Sequence, residues 1–338
     1  MEAVSGEPAQ RPPGTARVLL RLWALTATGL LVATLLLTVP RLLDPQNKYG
    51  VLLAALTPFG TLTALLAVLT TGPLVVRAGR RRLLAGTAAA TAAILLVLHV
   101  VWVAPLYVGP RAQAAGDARV VVMTQNFETG DVAALERTVR AEGVDVLVIC
   151  DTGTAQFAAA VRLADRVGLN HQVTDGGTAV FSRSPISGTS RISDGGSSRI
   201  VRLSGTPIGD ITLYAVHPAP AYNTAKWAAD YRRIHSAIAS GPTARSVIAG
   251  DMNATVDNAP LRRLMDLGYT DAVSQVRAGW RPTWPMDRSR RVAGMATPAV
   301  LPIDHVLTSS DLAISRMAVV PLRDADHAGI LAVIGPRG

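Results

Sequence analysis

Three long apolar segments in the first third of the chain constrain its fold more than any other feature. They are Val18–Val39, Val51–Val76 and Leu83–Val103. Only Arg21, close to the start of the first segment, and His99 in the third are titratable. Each segment is long enough to cross a hydrocarbon core of about 30 Å as an α-helix. The sequence therefore predicts a three-helix membrane domain at residues 17–104, after a disordered cytoplasmic tail at residues 1–16 that is rich in Pro, Gly and Ser.

The charge distribution separates the membrane third from the rest of the chain. Residues 1–116 carry ten Lys+Arg and three Asp+Glu, a net charge of +7, whereas residues 117–338 carry 23 and 21, a net charge of +2. The overall charge of +9 is therefore not evidence for a nucleic-acid-binding domain, and the small net charge of residues 117–338 argues against a nucleic-acid partner. The single cysteine excludes an intrachain disulfide and a zinc site built from several cysteines.

The basic loops predict how the membrane domain is oriented. The loop between the second and third segments carries Arg77, Arg80, Arg81 and Arg82, and such clusters stay in the cytoplasm. We therefore expect a multi-pass protein of the cell membrane with its N-terminus inside, three spans and an extracytoplasmic C-terminal domain. His99 is a proton-relay group or, alternatively, packs inside the bundle or at its outer interface. Transport is disfavoured because the spans contain no paired charges.

The remaining residues have the pattern of a layered α+β domain. Residues 105–118 contain two prolines and two glycines and are expected to form a linker. From Arg119 to Gly338, short apolar runs alternate with turns, and strands outnumber helices. Residues 199–203 and 210–216 are predicted to pair as a hairpin, because Gly205 and Gly209 lie between them. Hairpins mixed with helical crossovers indicate two sheets with helices outside.

Polar residues follow or begin six of the predicted strands. They are Asn126, Asp151, His217, Asp251 with Asn253, Asp304 with His305, and Asp326 with His327. Carboxylate and amide oxygens at neighbouring strand ends can bind a hard divalent cation, and Mg²⁺ is the usual choice for phosphate chemistry. Histidines beside them can transfer protons or stabilise a charged phosphorus centre.

The order of these motifs resembles that of the endonuclease/exonuclease/phosphatase superfamily. The resemblance covers about residues 117–338 and rests most on Gly250-Asp-Met-Asn253, followed by Ile303-Asp-His305 and Asp326-His327. It implies a four-layer (α/β/β/α) sandwich after the three transmembrane helices. Three spans before such a domain, with the segment Pro282-Thr-Trp-Pro285, are similar to the actinomycete membrane-anchored teicoplanin-resistance proteins of the VanJ type.

The resemblance implies a metal site for Mg²⁺ or Mn²⁺. Asp151 and Asp326 would bind the metal, and Asn126 would hold the metal or its water. The family places Glu where this chain has Asp151, so the site either shifts its backbone, binds metal less tightly or uses Glu128 instead. Glu128 is otherwise a loop charge.

The resemblance also implies catalytic roles. Asp251 would orient or deprotonate the attacking water, and Asn253 would bind a phosphate oxygen. His217 would contact the scissile phosphate. His327 would stabilise the transition state or transfer a proton, with its ring oriented by Asp304. The expected reaction is in-line attack of water on phosphorus, without a covalent nucleophile.

The expected location limits the substrates that such an enzyme meets. A tethered extracytoplasmic phosphoesterase meets lipids at high effective concentration, which favours a lipid-linked phosphate or pyrophosphate of the cell envelope and a link to glycopeptide resistance. Alternatives are a nuclease, a phospholipase of the sphingomyelinase sort, and a catalytically weak binding pseudoenzyme. The presence of Asp151 where the family has Glu favours the pseudoenzyme. The basic cluster Arg277, Arg281, Arg288, Arg290 and Arg291 is either a site for lipid headgroups or pyrophosphate or a solvated loop. The oligomeric state stays open.

Overall fold

The computed structural model describes residues 14–77, 79, 82–174, 177–286, 291–292, 295–296 and 298–338. Its helices are α1 (Gly14–Leu43), α2 (Lys48–Ala55), α3 (Gly60–Arg77), α4 (Arg82–Val103), α5 (Val132–Ala141), α6 (Thr154–Val167), α7 (Thr224–Ala239), α8 (Ala259–Met265) and α9 (Ala272–Val276). Short 3₁₀ turns occupy Thr57–Phe59 and Ala104–Leu106. Part of the predicted tail (1–13), Arg80, Arg81, Arg288 and Arg290 lie outside the described residues.

The strands form two sheets of six strands and a short hairpin. They are β1 (Val120–Asn126), β2 (Val146–Cys150), β3 (His171–Val173), β4 (Thr178–Ser182), β5 (Ile186–Arg191), β6 (Arg199–Thr206), β7 (Gly209–Ala215), β8 (Ser246–Asp251), β9 (Thr270–Asp271), β10 (Arg291–Val292), β11 (Met295–Ala296), β12 (Asp304–Thr308), β13 (Leu312–Pro321) and β14 (Ala328–Pro336). The strand orders are β13-β14-β1-β2-β4-β3 and β5-β6-β7-β8-β12-β9, and β10 pairs with β11. The predicted hairpin is confirmed as β6 and β7.

Three helices are long and apolar enough to cross a membrane: Arg17–Leu43, Thr57–Arg77 and Arg82–Leu106. Their residues up to Val39 and from Thr57 to Trp102 belong to the first compact unit. Side-chain hydrogen bonds join them: Thr34 Oγ1 donates to Thr63 Oγ1 over 2.9 Å. His99 is buried, 2.9 Å from Thr38 Oγ1 and edge-on to the Trp102 ring. Of the two alternatives for His99, the structure favours packing inside this unit.

The second apolar run is not one helix, as its sequence predicts, but two. Helix α2 ends at Ala55, a 3₁₀ turn follows, and α3 begins at Gly60. Pro58 explains the break, because it has no N–H to donate to the carbonyl four residues earlier. The candidate span therefore begins at Thr57, six residues later than the sequence indicates.

The second compact unit is a four-layer sandwich, as predicted. Apolar side chains from the facing surfaces of both sheets, such as Val148 and Val247, form the central core. The outer face of the first sheet packs on α5 and α6. The outer face of the second packs on α7 and α8, with Trp227 and Leu264 fully buried.

Residues Pro40–Leu56, between the first and second spans, belong to the second unit together with Val103–Gly338. Val51 of α2 is buried in the apolar cluster under α7 and α8. Asn258 Nδ2 donates to the Val51 carbonyl over 2.9 Å, and Arg41 forms an ion pair with the buried carboxylate of Asp257. The sequence places this segment inside the membrane domain, whereas its contacts are with the C-terminal unit. The predicted boundaries at 16, 104 and 118 remain predictions.

Candidate active site

The sheet topology brings the polar strand ends to one edge of the sandwich. Asp251 ends β8 and is registered opposite Asp304, which begins the antiparallel strand β12. Asn126 ends β1, and His327 immediately precedes β14, which pairs with β1. The carboxylates of Asp251 and Asp304 and the imidazole of His327 lie with their ligand atoms within 4.8 Å of one another. This cluster is the centre of the candidate site.

Asp251 is buried and held by hydrogen bonds on both carboxylate oxygens. Asn126 Nδ2 donates to Oδ2 over 3.0 Å, and the main-chain N–H of Asn253 donates to Oδ1 over 2.8 Å. The Asn253 amide also donates to the carbonyl of Pro218 over 3.1 Å. These contacts fix the plane of the Asp251 carboxylate. They bring Asn126, Asp251 and Asn253 together in one hydrogen-bonded group.

Two histidines face the same oxygen of Asp251. The Nε2 atoms of His217 and His327 lie 3.8 Å and 4.0 Å from Asp251 Oδ2. Both distances are too long for a direct hydrogen bond. His217 follows β7, and its main-chain N–H donates to Ser198 Oγ over 3.0 Å. The arrangement places two potential donors and one acceptor around a common point.

The ring of His327 is oriented by Asp304. His327 Nδ1 lies 2.9 Å from Asp304 Oδ2, and both side chains are buried. Burial lowers the pKa of His327, but the charge and hydrogen bond of Asp304 outweigh it, and the pKa rises to about 9. The imidazole is therefore an imidazolium at neutral pH and presents an Nε2–H donor.

The backbone beside Asp251 requires a glycine. Gly250 has a φ of +151°, and a Cβ there would lie 1.8 Å from the carbonyl oxygen of Val216. Asn253 also has a positive φ, 46°, a conformation that Asn tolerates better than most residues. The Gly250-Asp-Met-Asn253 motif therefore has a local conformational basis, besides the chemistry of its side chains.

The predicted metal ligands lie beside the ends of three inner strands of the first sheet, β1, β2 and β14. Cys150 is registered beside Asn126, so Asp151 and Glu128 both follow adjacent parallel strands, and both side chains are exposed. Asp326 precedes His327, and its Oδ1 atom is buried without a hydrogen-bond partner among the described residues. A buried carboxylate oxygen with no donor fits a cation, and the whole set offers the oxygen ligands that Mg²⁺ and Mn²⁺ prefer. None of Asp151, Glu128 and Asp326 is grouped with the carboxylate–histidine cluster within the described residues.

Sequence reasoning assigned no role to two side chains that support the site. Thr283 Oγ1 accepts hydrogen bonds from the main-chain N–H groups of Ile303 and Asp304, over 3.1 Å and 3.2 Å. Gln125 Nε2 donates to the carbonyl of His327 over 3.1 Å. Thr283 lies in the segment Pro282-Thr-Trp-Pro285 of the resemblance, and Gln125 directly precedes Asn126; these positions are the signal that could have identified them.

The hydrogen bonds of the His305 side chain are with residues outside the carboxylate–histidine cluster. Its Nδ1 atom lies 2.7 Å from Asp271 Oδ2, and its Nε2 atom lies 3.0 Å from the carbonyl oxygens of Ala254 and Pro302. Burial lowers the pKa of His305, but the charge and hydrogen bond of Asp271 outweigh this effect. The pKa of His305 therefore lies above its ordinary value. Cys150 is buried, and burial raises the pKa of its thiol far above the ordinary range, which leaves it inert.

Comparison with known proteins agrees with this geometry. A model of the endonuclease/exonuclease/phosphatase family matches residues 123–327. A structure of an endonuclease/exonuclease/phosphatase from Beutenbergia cavernae DSM 12333 is similar at 19% identity with a TM-score of 0.51, over 66% of this chain and 72% of that one. D. rerio TDP2 complexed with single-strand DNA product is similar at 17% identity with a TM-score of 0.51, over 65% of this chain and 100% of that one. No curated protein matches the chain.

At these identities the two solved structures show the shared fold alone, whereas the family model covers more than half of the chain. Members of this family are in general metal-dependent hydrolases of phosphate esters. The matched residues include Asp251, Asp304 and His327, which the structure brings together at one edge of the sandwich. The chain therefore belongs to the endonuclease/exonuclease/phosphatase family.

Proposed function

We propose that this protein is a membrane-anchored, divalent-metal-dependent phosphohydrolase that acts outside the cytoplasmic membrane on a lipid-linked phosphate or pyrophosphate. One observation supports the chemistry above all others. The Asp251 carboxylate is held by Asn126 and Asn253, and two histidines face its Oδ2 atom, one of them oriented by Asp304.

We assign a role to each side chain in the attack of water on phosphorus. Asp251 accepts a proton from the attacking water as the new P–O bond forms and the ester or pyrophosphate P–O bond breaks. His327, as an imidazolium, donates a hydrogen bond to a phosphoryl oxygen, where negative charge develops. His217 contacts the scissile phosphate, and Asn253 binds a phosphate oxygen.

A divalent cation would be held by Asp151, Asp326 and Asn126, with Glu128 as an additional ligand. When bound, it would supply charge neutralisation for the phosphate. Oxygen ligands suit Mg²⁺ or Mn²⁺, and the buried Oδ1 of Asp326 supports the assignment. The shorter reach of Asp151, compared with a glutamate, predicts a metal affinity below that of relatives that have Glu.

The topology proposal is supported by the segment between the first two spans. Because Pro40–Leu56 packs within the same unit as Val103–Gly338, we expect this loop and the C-terminal domain to lie on the same side of the membrane. A chain with three spans satisfies that condition. The basic loop at 77–82 favours the cytoplasm as the opposite side. A reporter fused to the C-terminus is expected to show activity outside the cytoplasm. Activity of that reporter in the cytoplasm would overturn the proposed orientation.

The test of the activity is phosphate release from a panel of substrates by the full-length protein. The panel contains polyprenyl pyrophosphates, phospholipids and single-stranded DNA, each with Mg²⁺, Mn²⁺ or a chelator. Asp251→Asn should reduce metal-dependent turnover by at least about 10³-fold, since it removes the proton acceptor. Asp165→Asn, an exposed change on α6 with the same loss of charge, should leave turnover unchanged.

Each part of the panel distinguishes one alternative. Turnover of DNA alone would favour a nuclease, against which the net charge of +2 over residues 117–338 argues. Turnover of phospholipids alone would favour a phospholipase. No turnover by a folded protein on any substrate would favour the binding pseudoenzyme. The link to glycopeptide resistance rests on the resemblance to VanJ-type proteins, and its test is the teicoplanin susceptibility of a host that expresses the Asp251→Asn variant.

A further inference from the structure

A cavity of about 380 Å³ lies in the C-terminal unit, and no residue of the candidate active site lines it. Its walls come from residues 110–113, which follow the third span, from the end of α9 and from the last residues of the chain. Arg111, Arg277 and Arg337 line it together. The predicted basic cluster contributes only Arg277 among the described residues.

Arginine side chains give this cavity its positive charge, and no carboxylate side chain of the described residues lines it. Within the described part of the chain, none of the three arginines forms an ion pair with a carboxylate. No Asp or Glu side chain lines the cavity; the main chain of Gly338 does. Three guanidinium groups around one space repel one another, and a phosphate group would offset that repulsion with charge-assisted hydrogen bonds.

Two of the guanidinium groups are already held in place. Arg277 donates to the carbonyls of Pro105 and Pro110, using its Nη1 atom for the first and its Nε and Nη2 atoms, over 3.2 Å and 2.9 Å, for the second. Arg337 donates to the carbonyls of Ser310 and Leu312 over 2.7 Å and 3.0 Å. A guanidinium has five N–H donors, so each of these arginines keeps at least two for a ligand. Little side-chain entropy would be lost on binding.

The cavity lies next to the point where the third span ends. Pro105, whose carbonyl binds Arg277, is one of the residues of the span Arg82–Leu106. The main-chain N–H of Gly279 donates to the carbonyl of Leu106 over 2.9 Å. Arg111 is five residues beyond Leu106, a distance of at most about 18 Å along an extended chain. The arginines therefore lie within reach of the headgroup layer of a bilayer.

We infer that the Arg111–Arg277–Arg337 cavity binds the phosphate group of an anionic phospholipid headgroup. Free phosphate offers the same chemistry, but the link to the end of a membrane helix favours the lipid. The site is separate from the active site, so this inference does not depend on the proposed hydrolysis.

The test uses the full-length protein in a neutral detergent, with bound lipid counted by native mass spectrometry. Phosphatidylglycerol is titrated first, phosphatidylcholine is the zwitterionic control, and inorganic phosphate is the competitor. The double variant Arg111→Gln/Arg337→Gln is compared with Arg162→Gln/Arg232→Gln, which removes two exposed arginines from α6 and α7. Phosphatidylglycerol affinity should fall about tenfold or more in the first variant and stay unchanged in the second.

Three results would overturn the inference. They are equal phosphatidylglycerol affinity in both double variants, equal affinity of the wild type for the two lipids, and arginine-dependent binding of inorganic phosphate alone. If Arg111→Gln/Arg337→Gln does not fold, Arg111→Glu replaces it, because the structure gives no hydrogen bond from the Arg111 side chain to any described residue. That variant should also lose about tenfold in phosphatidylglycerol affinity, and unchanged affinity would count against the site.

Discussion

Replacing Asp304 by asparagine should lower the pKa of His327 and weaken the enzyme most at alkaline pH. The Asp304 carboxylate lies 2.9 Å from His327 Nδ1 and is the main cause that raises the pKa of His327 from 6.5 to about 9. A rise of about 2.5 pKa units corresponds to roughly 3 kcal/mol in favour of the imidazolium. Asparagine keeps the size of the side chain but removes the charge.

The expected loss of activity follows from the protonated fraction of His327. With a pKa of about 9, roughly nine tenths of the imidazole is protonated at pH 8, and with a pKa of about 6.5 only about one thirtieth is. Turnover at pH 8 should therefore fall by up to about 30-fold, and by much less at pH 6. The remaining carboxylate of Asp251 makes this an upper limit, because it also raises the pKa.

The assay is an NMR titration of the full-length protein with labelled histidines, next to the pH dependence of turnover. The chain has six histidines, so His327→Gln assigns the signal. The sign for stability follows from the raised pKa: the pair stabilises the folded state fully below pH 6.5, and the stabilisation is lost as pH rises through about 9. A His327 pKa that stays near 9 in Asp304→Asn would refute the reasoning.

Three further predictions concern other parts of the molecule. Arg41→Met removes the ion-pair partner of the buried Asp257 carboxylate and should lower the free energy of unfolding, measured by chemical denaturation, by about 3–5 kcal/mol. The double variant Arg41→Met/Asp257→Leu should recover part of this loss. An unchanged free energy of unfolding would mean that residues 40–56 do not pack against the C-terminal unit. Gly250→Ala places a methyl group against the carbonyl of Val216 and should abolish turnover or lower the melting temperature by several degrees; unchanged values for both would contradict the close approach. Asp326→Asn should raise the Mg²⁺ concentration needed for half-maximal turnover by about tenfold or more, with an unchanged requirement counting against a ligand role.

The location of the site could be predicted from the sequence because strand ends are easy to recognise. Asp251 and Asn126 each directly follow a buried apolar strand, and such residues meet wherever the strands end at the same edge. The structure confirms their contact, at 3.0 Å. The pairing of His327 with Asp304 was likewise expected from the resemblance.

Other features could not be predicted because they depend on contacts distant in sequence or on weak patterns. Strand β5 has the sequence Ile-Ser-Gly-Thr-Ser-Arg and lies at an exposed sheet edge, so it lacks the alternation of apolar and polar residues that identifies strands. The docking of Val51 depends on Asn258, 207 residues later. The break at Pro58 was hidden by the continuous apolar composition around it.

The contribution of Val51 to the C-terminal core has a consequence for the order in which the protein is synthesised. The partner residues Arg41 and Asp257 are 216 positions apart. At roughly 5–20 residues per second, translation of that interval takes on the order of 10–40 s. During this time the first loop has left the ribosome, but Asp257 and Asn258, which it contacts, have not yet been synthesised. A truncated chain that begins at residue 104 would lack Val51 and would expose the apolar side chains that Val51 covers. It should therefore aggregate more readily than the full-length protein.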